Sequence, residues 1–140
     1  MTTKPTRGER NNNPGNIREY ANDPDWIGER ATDDDAAFEE FDSPEDGLRA
    51  LGKVLLAYQR KHDLKTVRGI INRWAPPNEN DTVSYVKTVA AALNLQPDAE
   101  IDVRDYVTLR ALMLAIVKHE NGRSIYTDAV YHSAANRALA

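Results

Sequence analysis

The sequence predicts a mainly α-helical domain with a small irregular β-like lobe near its N-terminus. Two observations carry this. From Ser43 onward, apolar residues recur at helical spacing between clear start and stop signals. Before Ser43 the chain is rich in Asn, Asp, Pro and Gly, with only short runs that alternate as a half-buried strand does. The length, 140 residues, fits one domain spanning the chain, with 1–10 as a loose polar tail.

The elements follow in order. Asn11–Asn16, NNNPGN, is a turn sequence: Pro fixes φ, and Gly and Asn accept positive φ. Ile17-Arg18 and Trp26–Gly28 are short extended pieces, and Phe38-Glu39-Glu40-Phe41 alternates, which turns one glutamate outward into solvent. Ser43 caps a first long helix, with Pro44 at its first position and Glu45 and Asp46 at its positive end. Leu48, Leu51, Leu55 and Tyr58 form its apolar stripe to about Lys61. Thr66 caps a shorter helix with Val67, Ile70, Ile71 and Trp74 inward, stopped by Pro76 and Pro77. Asp81 or Thr82 starts another, with Tyr85, Val86, Val89 and Leu93 apolar. The most apolar helix starts near Asp102. Its Leu109, Leu112, Met113, Ile116 and Val117 cover more than one face, so it lies centrally, and Gly122 ends it. A final helix runs from Thr127 to about Leu139.

Composition narrows the function. Hydrophobic residues make up 41% and charged residues 29%, a globular balance rather than a disordered one. The net charge of −4 and pI of about 5.4 speak against a nucleic-acid partner, which needs a basic face. With no cysteine, the fold stands on packing, and thiol catalysis and cysteine zinc sites are excluded. His62, His119 and His132 are far apart in sequence, so no metal or other cofactor is expected. The Asp33-Asp34-Asp35 run lacks calcium-loop spacing and reads as a solvated loop. The N-terminus has no apolar leader and no stretch is long enough to span a membrane. The expectation is a monomer made in the cytoplasm and brought to its target by another route.

Several residues suggest chemistry. Glu120 lies at the C-terminus of the most apolar helix. The helix dipole and burial both disfavour its charge there, which would make it a general acid. The amides of RNNNPGNIR offer mixed donors and acceptors, as sugar hydroxyls and N-acetyl groups require. Asn13, Asn16 and Arg18 are the candidates to line a saccharide wall. Glu79, between Asn78 and Asn80 in a loop before a helix, is a second candidate acid; Asn80 and Tyr85 lie close enough in sequence to reach the same cleft. Trp26 and Trp74 suit either sugar stacking or the core.

Resemblance sharpens this reading. LMLAIVKHENG looks like the AIxxxESG helix of lytic transglycosylases and related lysozyme-like enzymes, whose helix-ending Glu is the catalytic acid. Glu120 takes that place. Asn121 stands where the family has Ser and joins the substrate-binding candidates. RNNNPGNIR, Trp26–Gly28, Phe38, Phe41, DSPEDGLRAL and RWAPPNENDTVSYV resemble small phage lytic enzymes and virion-associated muralytic proteins. The opening stretch is also similar, more loosely, to the groove-lining lobe of bacterial glucosaminidases. The resemblance spans about residues 7 to 135. It implies a lysozyme-like domain, arranged like a circular permutation because the Asn-rich lobe precedes the Glu helix. It also implies cleavage of peptidoglycan glycan strands between N-acetylmuramic acid and N-acetylglucosamine, by a lytic transglycosylase or, with Glu79 as second carboxylate, a hydrolytic muramidase. Such a protein reaches the cell wall by holin release or inside a virion. A non-catalytic virion or wall-binding module and a stem-peptide peptidase are the competing readings, and a helical nucleic-acid-binding domain is a more distant one.

Overall fold

A computed structural model describes residues 4–19, 26–32 and 34–140. Among them are six helices: α1 Arg7–Arg10, α2 Pro44–His62, α3 Val67–Trp74, α4 Thr82–Ala92, α5 Tyr106–Asn121 and α6 Asp128–Leu139. The protein is mainly α, as its periodicity predicts.

Caps and turns set the helix limits. Ser43, Thr66 and Asp81 are the N-caps of α2, α3 and α4, each accepting a backbone N–H with its side chain. The start of α5 differs from expectation. Asp102 begins a turn, its carboxylate accepting from the backbone and guanidinium of Arg104, and Asp105 caps the helix instead. Gly122, at φ 77°, ends α5 in the left-handed conformation.

The helices share one apolar core. α5 is central: Leu109, Leu112, Met113, Ile116 and Val117 are fully buried, and the helix packs against α2, α4 and α6. α2 and α6 lie closely together. A Cβ at Gly52 would sit 2.7 Å from the Ala138 methyl, so the small residue sets the approach of the two helices. α3 and α4 pair beside them, and the Thr82 hydroxyl donates to the Ala75 carbonyl at 2.5 Å, fixing the turn between them.

The N-terminal lobe has no extended sheet among its described residues, only the isolated bridges Arg18–Phe38 and Glu29–Phe41. Four expectations are corrected here. Residues 4–10 are not loose: Thr6 and Glu9 form a reciprocal capping box on α1, and they also bind Asn121 at the end of α5 and Arg123 just past it. Trp26–Gly28 is a turn, closed by Glu29 N–H to the Trp26 carbonyl, with Gly28 at φ 78°. Glu39 and Glu40 are both buried. Glu40 is held by Arg30 and by the Asp34 and Asp35 backbone N–H groups, and these donors offset its desolvation. Asp35 likewise is no free loop carboxylate. It takes a bidentate pair from Arg7, a bond from Asn11 and two backbone N–H donors. Asp33 lies outside the described residues.

Candidate active site

Two helix ends and one turn converge on Glu120. It lies in the last turn of α5. Tyr85 lies in the first turn of α4 and donates its hydroxyl to Glu120 Oε2 at 2.8 Å. Asn16 is held at φ 52°, a left-handed conformation that asparagine tolerates, and its amide reaches Glu120 Oε1 at 3.1 Å. Each carboxylate oxygen therefore accepts one neutral donor, and the half-buried group is fixed in orientation.

Glu120 lines two cavities at once. The larger, about 350 Å3, lies between the N-terminal turn and the helices; its walls include Asn16, Arg18, Trp26, Tyr58, Trp74 and Glu79. The smaller, about 260 Å3, is polar and is formed by Asn80, Asp81, Ser84, Tyr85, His119 and Glu120. Asn80 is the other residue common to both, so the carboxylate and Asn80 stand where the two spaces meet.

Tyr85 is built to remain a donor. Its ring is buried and stacks on His119 with centroids 3.6 Å apart. Burial raises its phenol pKa far above the ordinary value, and the charge of Glu120 and the bond to it act the same way. A hydrogen bond with the Trp74 side chain opposes this more weakly. The hydroxyl thus keeps its proton throughout the physiological range.

Of the residues selected from sequence, Glu120, Glu79, Asn16, Arg18, Asn80 and Tyr85 meet around these cavities. Asn13 does not. It is fully buried, donates to the carbonyls of Ile17 and Glu39, and accepts from the Ile17 N–H, so it clips the turn to the next chain segment. Asn121 is also turned away. Its amide donates to the Pro14 and Val117 carbonyls and accepts from Thr6, tying the N-terminal turn to the end of α5. Trp26 and Trp74 both line the larger cavity. His119, Tyr58 and Arg73 were missed as site residues. His119 adjoins Glu120, a signal available in the sequence, whereas Tyr58 and Arg73 sit on helices whose rotation only packing fixes.

The arrangement suits proton transfer at a bound polar molecule: a positioned carboxyl, neutral donors around it, and aromatic faces beside it. No helix among the described residues is long and apolar enough to cross a membrane. No protein-family model matches the sequence. The chain is 40% identical over 122 residues to Protein P5 of Pseudoalteromonas phage PM2, a match covering 86% of this chain and 74% of that protein. An alignment of that identity and extent makes the chain a member of the phage protein family to which Protein P5 of PM2 belongs.

Proposed function

We propose that this phage-family protein cleaves the glycan strands of bacterial peptidoglycan between N-acetylmuramic acid and N-acetylglucosamine, with Glu120 as general acid and base. The observation that carries the reading is the fixed Glu120 carboxyl at the meeting of two cavities, bonded by Tyr85 and Asn16. In this reading the helices are a lysozyme-like domain, permuted so that the Asn-rich lobe comes first. Sugar rings lie on the aromatic side chains of the larger cavity, with Asn16 and Asn80 at their hydroxyl and amide groups.

The reaction follows from one carboxyl. Glu120 gives its proton to the glycosidic oxygen as the bond to C1 breaks. The resulting carboxylate, steadied by the Tyr85 hydroxyl and the Asn16 amide, then removes the proton of the muramic C6 hydroxyl as that oxygen closes on C1. The product carries a 1,6-anhydro ring, and no carboxylate nucleophile is needed. A hydrolytic route is favoured by one separate observation: Glu79 lines the same cavity as Glu120 and is exposed, free to activate water. The phage relationship supports delivery either by release through a lysed membrane or within a virion.

Digestion of purified sacculi with mass spectrometry of the soluble products tests the proposal. Anhydromuramic ends support the transglycosylase route, and reducing ends the hydrolytic one. Cut stem peptides, or sacculus binding with no release, would replace the reading with a peptidase or a wall-binding module.

A further inference from the structure

The larger cavity holds two arginines, Arg18 and Arg73, and neither forms an ion pair with any described residue. Seven other arginines each hold a carboxylate: Arg7, Arg30 and Arg68 among them, and the rest on the bundle surface and at the end of α5. Arg10, Arg49 and Arg60 also form no ion pair with a described residue, but they lie outside this cavity; what marks Arg18 and Arg73 is their shared place in the cleft. Arg18 and Arg73 are also not loose. The Arg18 guanidinium lies 5.1 Å from the centre of the Phe38 ring, and that of Arg73 lies 5.3 Å from the centre of the Tyr58 ring. Both rings line the same cavity. A ring face steadies a guanidinium without using its N–H donors, which stay available to a ligand.

A neutral glycan needs no such pair. Planar guanidinium groups match carboxylates, which accept two parallel N–H bonds. The carboxylates already in the cavity do not occupy them: Glu120 is engaged by Asn16 and Tyr85, and Glu79 makes no ion pair with either arginine. We propose that Arg18 and Arg73 bind the free carboxylates of the peptide stem carried by muramic acid, so that the substrate is a peptide-bearing strand rather than a bare glycan. This rests on the peptidoglycan reading above and narrows its substrate. The arginines select by charge, and the aromatic and amide groups hold the sugars.

The test compares two probes: a disaccharide–tetrapeptide muropeptide, and the same disaccharide with its stem removed by an amidase and the freed lactyl carboxyl capped as a methylamide. Binding is measured by calorimetry to E120Q protein, which holds the ligand without turning it over. The stem-bearing probe is expected to bind at least about tenfold more tightly, with an affinity that falls as salt rises. Adding R18Q and R73Q should erase that preference and its salt dependence, so that the two probes bind alike. Equal affinity for the two probes, or a preference that survives R18Q/R73Q, overturns the proposal. If the two probes bind equally and wild-type protein still releases glycan from sacculi, only the stem assignment falls. If neither probe binds and sacculi release nothing, the peptidoglycan reading falls with it.

Discussion

The two walls of the cleft are held together by different forces. In the helical wall, burial is almost wholly apolar: the interiors of α2 to α6 are Leu, Ile, Val, Ala, Met and Tyr. In the N-terminal wall, the described residues before Ser43 bury only two hydrophobic side chains, Ile17 and Phe41, alongside Asn11, Asn13, Glu39 and Glu40. Hydrogen bonds and ion pairs replace the missing core. A wall built this way is specific in geometry but sensitive to the loss of any one partner, because each buried polar group depends on another. The carboxyl comes from the helical wall and one of the groups that aim it from the polar wall, so the site depends on both.

The largest expected effect separates chemistry from folding. Glu120→Gln should lower glycan release by at least about a hundredfold, the scale of a general acid, with a melting temperature near wild type. Near-normal lysis by this variant would sink the assignment. Next comes the helical wall. Leu112→Ala should cost roughly 2–5 kcal/mol of global stability through the cavity it leaves, read by denaturant unfolding. Asn13→Ala should cost about 1–3 kcal/mol, because it strips partners from the Ile17 N–H and two buried carbonyls. Its effect should also be local, with hydrogen exchange rising in the N-terminal lobe while α5 stays protected. Uniform loss of protection would show that the two walls unfold as one.

Smaller effects follow. Tyr85→Phe keeps the stacked ring and removes the bond to Glu120; release should fall about tenfold with a stability change near 1 kcal/mol. An unchanged rate would confine Tyr85 to packing. Acid should act on the polar wall. Arg7 first, then Asn11 and the Ala37 and Phe38 N–H groups, hold the Asp35 carboxyl well below the usual range. A depressed folded pKa contributes stability above the unfolded value of about 3.9, and that contribution is lost as pH falls below it. The protection factors of N-terminal amides, corrected for the intrinsic exchange rate, should therefore fall as pH drops through that window, and Asp35→Asn should remove the dependence. A flat profile in wild type would show that the Arg7 pair contributes nothing.

The sequence by itself determined the helices. Ser43, Thr66, Asp81 and Gly122 act on backbone groups within a few residues, and the apolar spacing of α2 to α5 repeats every turn, so both can be read locally. It also singled out Glu120, because a helix-end carboxylate after so apolar a run is a local anomaly. The N-terminal lobe was less legible. Its residues were recognisable as turn formers, but the burial of Glu39 and Glu40 depends on Arg30 and on backbone donors that no periodicity announces. The assignment of the asparagines was decided by tertiary structure alone. Asn13 and Asn16 sit in one bend with the same side chain, yet one clips the chain and the other reaches a carboxylate 104 positions away. Asn121 turned inward for the same reason, since its partners are the Pro14 carbonyl and the Thr6 hydroxyl. An amide can donate and accept in many directions, and only the packed neighbours decide which of its bonds are made.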